Sequence, residues 1–220
     1  MKSYEGVELT MQIRIMLVDD HAVVRAGVRR LLEQDARFLV VAETDSGERA
    51  YQQFGEHLPD ITVMDLSMPG MGGMEAIGRI TVRYPAAKIL VLSMHENAAF
   101  ASQAIKAGAK GYLAKNGLAE ELVNALENIA TGKTYINASI TQKIAQQFSN
   151  TESNPLQLLS TREFEIFRML AEGIDSNLIA SKLNISAKTV ANYQTSIKQK
   201  LGINNSVELV RLAMKAGLIE

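Results

Sequence analysis

Five short runs of β-branched and leucine-rich residues, Ile13–Val18, Phe38–Ala42, Ile61–Met64, Ile89–Leu92 and Tyr112–Ala114, alternate along this chain with segments of helical spacing. Each run is bounded by acidic, Gly, Ser or Lys residues and reads as a buried strand. Between them, sets such as Val24, Val28, Leu31 and Leu32, or Leu122, Ala125, Leu126 and Ile129, recur at three, four and seven residues and mark one face of a helix. Apolar strands separated by helices require right-handed crossovers and a parallel sheet covered on both faces. Residues 12–131 are therefore expected to form an α/β domain with a five-stranded parallel, doubly wound sheet.

The rest of the chain has a different texture. Residues 132–157 are polar, with Gly132, Asn137, Gln146, Gln147, Ser149, Asn150, Ser153, Asn154 and Pro155, and read as a linker with one helix near residues 139–148. Ser160-Thr161-Arg162-Glu163 then forms a capping box opening a helix whose Ile166, Phe167, Leu170 and Ile174 share a face. Three more helical patterns follow, so residues 158–220 are expected to be an all-α, four-helix domain. A length of 220 residues accommodates two cores.

Composition removes several classes of function. The absence of cysteine excludes a disulfide framework, a thiolate zinc site and a cysteine nucleophile, and fits a reducing cytoplasm. No apolar run approaches the ~18 residues of a membrane span, so no membrane partner is expected. Met1-Lys2-Ser3-Tyr4-Glu5 lacks the apolar stretch of a signal peptide, and Met11 stands just before the first strand as a second possible start. Charge is split, with 15 Lys and Arg against 18 Asp and Glu up to residue 155, and 8 against 6 after it. That mild basicity at the back would not by itself point to nucleic acid.

Ligand sites of open parallel sheets lie beyond the carboxyl ends of the strands. Here the first strand ends in Asp19-Asp20, the third in Asp65, the fourth in Ser93, and Lys115 follows the fifth. Three clustered carboxylates repel one another unless a cation neutralises them, and all-oxygen ligation suits Mg2+. One carboxylate, Asp65 by its position, can then attack phosphorus while the metal and Lys115 offset charge on the phosphoryl oxygens. Any one strand-end aspartate could merely cap a helix; the joint placement of five groups argues for a site. His21 and His95 lie near this rim and read as hydrated, exposed side chains rather than ligands. Met64, Met68, Met71 and Met74 read as packing.

In the back domain, Ser176–Leu183, a turn at Asn184-Ile185-Ser186 and a longer helix through Thr189–Leu201 have helix-turn-helix spacing. Val190, Tyr193, Ile197 and Leu201 should face the core with Ile179, Leu183 and Ile185. The opposite face, with Ala191, Asn192, Thr195 and Gln199, suits base edges and thymine methyl groups, and Thr189 is a further candidate DNA contact. Lys182, Lys188, Lys198 and Lys200 are placed for phosphate contacts. Spacing alone also permits a plain helical bundle with a polar face.

Val18-Asp19-Asp20-His21, Met64-Asp65-Leu66-Ser67-Met68-Pro69-Gly70 and Gly111-Tyr112-Leu113-Ala114-Lys115 resemble the receiver domain of response regulators. Leu159-Ser160-Thr161-Arg162-Glu163, Leu170-Ala171-Glu172-Gly173 and Ile185-Ser186-Ala187-Lys188-Thr189-Val190 resemble the LuxR-type domain of the NarL/FixJ family. Tyr193, Val207-Glu208-Leu209 and Ala216-Gly217-Leu218 look most like its GacA/UvrY branch. The resemblance implies a flavodoxin-like receiver in which Asp65 takes a phosphoryl group from a sensor histidine kinase. Asp19, Asp20, Asp65 and the Ser67 carbonyl would hold Mg2+, Ser93 and Lys115 would engage the phosphoryl group, and Ser93 with Tyr112 would form the switch pair.

It further implies an activated homodimer on double-stranded DNA and no catalysis beyond the protein's own phosphorylation and dephosphorylation. For the subgroup it implies a hybrid sensor kinase upstream and promoters of small regulatory RNAs among the targets. Departures matter: Asn116 stands where many receivers have proline, leaving the geometry of the Lys115-Asn116 bond open. Ala191, Tyr193 and Ser206 replace a common lysine, histidine and arginine, so base preference does not carry over. The last helix, with Val207, Val210, Leu212, Ala213 and Leu218, is the expected dimer surface.

Two other classes compete. A magnesium phosphohydrolase would use the same carboxylates, but its usual nucleophile lies on the first strand in an Asp-x-Asp motif, whereas Asp19 and Asp20 are adjacent and no cap domain remains. A receiver signalling without phosphorylation would not require all of Asp19, Asp20, Asp65, Ser93 and Lys115.

Overall fold

A computed structural model describes residues 12–116, 118–149 and 155–219. The two possible starts, Gly117 and the polar residues 150–154 lie outside the described residues. In chain order the elements are β1 (Ile13–Val18), α1 (Ala22–Leu32), β2 (Phe38–Thr44), α2 (Gly47–His57), β3 (Ile61–Asp65), α3 (Gly73–Arg83), β4 (Ile89–Ser93), α4 (Ala98–Lys106), β5 (Gly111–Ala114) and α5 (Leu118–Ala130). They continue with β6 (Tyr135–Ile136), α6 (Ala138–Ser149), a 3-10 turn (Pro155–Leu158), α7 (Thr161–Ala171), α8 (Ser176–Lys182), α9 (Ala187–Leu201) and α10 (Ser206–Lys215).

All strands pair in parallel, in the order β2-β1-β3-β4-β5-β6. The expected doubly wound sheet is present, with one addition. The sixth strand falls within the stretch read as linker, where two residues pair with Gly111 and Tyr112 and are too few to give a periodic signal. Two apolar cores flank the sheet. On one face Ile15, Leu17, Val63, Leu90 and Leu113 pack on Val28 and Leu32 of α1 and Leu122 and Leu126 of α5. On the other, Met16, Met64 and Val91 pack with α2, α3 and α4, and this core runs on through Phe164, Phe167 and Val190 into the helical domain. The period-two alternation within each strand supplies both cores at once.

The helical domain is the expected four helices. Its opening capping box forms: the Ser160 hydroxyl accepts from the Glu163 N–H, and the Glu163 carboxylate accepts from the Ser160 N–H at 2.7 Å. Asp175, Ser186 and Asn205 cap α8, α9 and α10. Gly202 ends α9 in the left-handed region at φ +65°. Val190 and Ile197 are fully buried and Tyr193 and Leu201 partly so, as the spacing of α9 requires. Among the described residues no helix is long and apolar enough to cross a membrane.

One glycine fixes the position of the acidic rim. A Cβ on Gly73 would collide with the backbone carbonyl of Asp65, because the first turn of α3 lies directly against the end of β3. We expect Gly73→Ala to lower stability by ~1–3 kcal/mol and to displace Asp65. Thermal unfolding, together with Mg2+ titration by calorimetry, checks both effects.

Candidate functional site

The strand register places the polar groups at one rim. Val18 pairs with Met64, Asp65 with Leu92 and Ser93 with Ala114, so the residues that follow β1, β3, β4 and β5 leave the sheet side by side. Asp19, Asp65 and Ser93 are buried, and the Asp20 side chain is about a quarter exposed. The Lys115 ammonium donates to Asp19 Oδ2 at 2.8 Å and lies 3.1 Å from Asp65 Oδ1. Asp19 Oδ1 accepts from the His21 N–H at 2.8 Å. Each of Asp19, Asp20, His21 and Asp65 offers a ligand atom, and these atoms lie within 4.8 Å of one another.

The electrostatics follow from this crowding. Burial pushes the Asp65 carboxyl up, Lys115 pulls it down and Asp19 pushes it up again, leaving it above the usual range. Burial works against the Lys115 charge, but Asp19 and Asp65 outweigh it and hold the ammonium above its ordinary value. Asp65 Oδ1 has Lys115 beside it, Oδ2 is buried with no hydrogen bond of full geometry, and the Ser67 backbone N–H helps to draw the carboxyl down. An orphaned carboxylate oxygen facing further carboxylates, all of them hard oxygen donors, fits a divalent cation such as Mg2+.

On the far side of the rim the Ser93 hydroxyl accepts from the His95 N–H at 3.1 Å, and the Tyr112 hydroxyl donates to the His95 carbonyl at 2.6 Å. Tyr112 is fully buried and points inward. Burial raises its phenol, with Asp65 adding to the effect and a Ser93 hydrogen bond opposing it. His95 is a correction to the sequence reading. It is half-buried, and its ring stacks on Phe100 with centroids 4.0 Å apart and 3° between planes. His21 is exposed, as read. Its Nδ1 lies 2.8 Å from Asp20 Oδ1. No peptide bond among the described residues is cis, Lys115-Asn116 included.

Residues that single-sequence reasoning missed support the rim from outside. Arg25 donates to the Asp19 carbonyl at 2.6 Å and pairs with Glu43. Glu48 accepts from the Met71 N–H at 2.7 Å and so holds the loop after β3. Nothing in the chain marks them, because each partner lies on a different element.

In the helix-turn-helix, Ala191, Asn192, Thr195 and Gln199 stand exposed on α9, with Lys188 exposed at its start and Lys198 half-buried. Thr189 is half-buried, and its hydroxyl lies 2.8 Å from that of Ser186 at the helix cap. Lys182, at the end of α8, is exposed beside a cleft facing the receiver. Lys200 is engaged within the domain, donating to Glu163 at 2.6 Å. Of the expected dimer surface, Ala213 is buried, Leu212 and Leu218 pack on the core, and Val207 remains open at 77% exposure.

Glu163 ties α7 to α9. Burial pushes its carboxyl up, but hydrogen bonds from Lys200, Ser196 and the Ser160 backbone outweigh this and hold it at about 2. A depressed carboxylate contributes stability that is full above its unfolded value and is lost as pH falls toward the folded one. The helical domain should therefore weaken between about pH 4.5 and about pH 2, and Glu163→Gln should remove that dependence in circular-dichroism melts.

The two domains meet along α4 and the loop after β3. The Gly70 N–H donates to the Lys182 carbonyl at 2.9 Å. Asn97 donates to the carbonyls of Ala216 and Gly217 at the end of α10, at 3.0 and 2.7 Å. Gln103 and Lys106 bind carbonyls of Leu156, Gln157 and Leu159. Arg162 reaches Glu75 at 3.3 Å, and Phe100 meets Phe164 edge to face at 5.3 Å.

Residues 15–127 match the response regulator receiver domain, and residues 157–213 match the bacterial regulatory proteins of the luxR family. The chain belongs to the NarL/FixJ family of response regulators, and is a two-component transcription regulator with a LuxR-type helix-turn-helix. It is 38% identical to the oxygen regulatory protein NreC of Staphylococcus epidermidis, over 94% of this chain and all of that one. It is 39% identical to the transcriptional activator protein ExaE of Pseudomonas putida, over 93% and 97%. Among solved structures, RcsB from Salmonella enterica serovar Typhimurium, bound to promoter P1flhDC in the presence of phosphomimetic BeF3-, is similar with a TM-score of 0.69. The identity is 29%, covering 93% of this chain and 99% of that one.

Proposed function

We propose that this protein accepts a phosphoryl group on Asp65 from a sensor histidine kinase, and that the modification controls dimerisation and sequence-specific binding to double-stranded DNA. The observation that carries the reading is the Asp65 carboxylate itself. It is buried, has one oxygen without a partner, and is flanked by Asp19, Asp20 and Lys115 at the rim where the DNA-binding domain docks.

A carboxylate oxygen of Asp65 attacks phosphorus, and the bond from phosphorus to the donor's phosphorylated group breaks in the same in-line displacement. Lys115 stays protonated through the step and offsets charge on the phosphoryl oxygens. Asp19 and Asp20 with Asp65, and the Ser67 carbonyl, would hold Mg2+, which supplies further charge stabilisation when bound. The Ser93 hydroxyl is available at the far side, and Tyr112 occupies the space behind it. Hydrolysis of the acyl phosphate returns the carboxylate, so the protein catalyses only its own modification and its removal. We take residues 12–131 as receiver, 132–157 as linker and 158–220 as effector.

Phosphorylation adds roughly −1.5 to −2 charge beside the loop that Lys182 engages. The reading residues of α9 are exposed in the docked arrangement, whereas the end of α10 is tied to Asn97. Restraint therefore acts on α10 and on dimer formation rather than by covering α9. Lys182, Lys188, Thr189 and Lys198 serve the phosphate backbone, and Ala191, Asn192, Thr195 and Gln199 the bases. Lys200 joins the backbone contacts only by leaving Glu163. Structures of RcsB with DNA support the same partner here. Membership of the GacA/UvrY branch rests on Tyr193 and the residues of α10, and a chromosomal target places the protein in the cytoplasm.

The test compares DNA affinity of the intact chain with and without a small phosphodonor and Mg2+. A rise in affinity supports the reading; unchanged affinity overturns it.

A further inference from the structure

Among the described residues the domain seam holds one imidazole, the side chain whose ordinary value lies nearest neutrality. The chain has three histidines, of which His21 is exposed at the acidic rim and His57 ends α2. His95 alone lies in the seam, stacked on Phe100, which meets Phe164 of α7. Its ring borders a cleft of about 610 Å3 between the domains, lined on the effector side by Glu165, Arg168 and Lys182 and on the receiver side by Asp20. Arg168 is itself held by Glu172 at 2.5 Å.

We propose that protonation of His95 opens this seam, so that mild acid releases the DNA-binding domain as a second input, separate from the phosphoryl group. A cation on the ring must share the cleft with the Arg168 guanidinium. Separation of the domains returns it to water. Burial and Arg168 both hold the imidazole below its ordinary value, with Glu172 opposing them. The docked arrangement thus binds this proton less well than the opened one. Docking is fully favoured above the ordinary imidazole value and loses ground as pH falls through it.

The other charges facing the ring set the balance. Glu172 favours the charged ring, Asp20 lines the receiver side of the cleft, and Glu96 is next in the chain. Glu165 works the other way, because burial holds its carboxyl high against the pull of Arg162, so its protonation strengthens docking. Opening in acid therefore reports His95, and its replacement exposes the opposite tendency. The backbone of His95 also receives the Tyr112 hydroxyl and donates to Ser93, so proton and phosphoryl group act on the same segment.

The experiment uses the full chain, which lacks cysteine, with dyes on cysteines introduced at exposed Arg30 and Asn204, and no phosphodonor. Between about pH 7.5 and about pH 5.5 the separated fraction should rise roughly threefold or more. His95→Phe keeps an aromatic stack without a proton and should stay docked. Arg168→Gln removes the repelling charge and should blunt the response. An equal acid response in His95→Phe, an undiminished one in Arg168→Gln, or none in the wild type overturns the proposal.

Discussion

Replacing Asp65 with alanine reduces phosphoryl incorporation from a small phosphodonor to background and leaves DNA affinity the same with or without the donor. The expectation follows from the rim. Asp19 and Asp20 remain, but Asp19 is already bonded to Lys115 and the His21 N–H, and Asp20 Oδ1 lies 2.8 Å from the His21 ring, so neither replaces the carboxylate that Asp65 sets at the end of β3 beside Lys115. The substitution also relieves carboxylate repulsion at the strand ends, so the fold is expected to hold or tighten. Incorporation with radiolabelled donor, beside DNA binding on the same samples, separates loss of chemistry from loss of structure. Residual donor-dependent binding in this variant would move the acceptor elsewhere.

Phe167→Ala has the largest expected effect on stability. Its ring is fully buried at the centre of the helical domain, where α7 packs on α9 and α10. Truncation of such a ring costs ~3–5 kcal/mol, a large part of the total available to a small domain. Calorimetry should show the effector transition falling or disappearing while the receiver transition persists, with DNA binding lost and phosphoryl incorporation retained. A single cooperative transition lost as a whole would show that the core shared across Phe100 and Phe164 makes the two domains fold as one.

The strand-end residues were legible because a buried parallel strand announces its own limits. Asp19, Asp65 and Ser93 each interrupt an apolar run, and the topology brings such interruptions to one edge. The capping box at Ser160 and the cap at Ser186 were legible for a similar reason, since their partners lie three residues away. The sixth strand escaped notice because Tyr135 and Ile136 are held by Gly111 and Tyr112, not by any pattern of their own. The seam escaped notice for the same reason. Asn97 meets Gly217 and Gln103 meets Leu156 across long stretches of chain, and His95 reads as a surface residue until Phe100 folds against it.

The most direct measurement is the location of the phosphoryl group. The intact chain is treated with phosphodonor and Mg2+, digested, and its peptides mapped by mass spectrometry with and without hydroxylamine. The account predicts one hydroxylamine-labile phosphoryl group on the peptide containing Asp65, absent when the metal is chelated. A label on Asp19, on Asp20 or on a hydroxyl side chain, or no label in the presence of a competent donor, would contradict it.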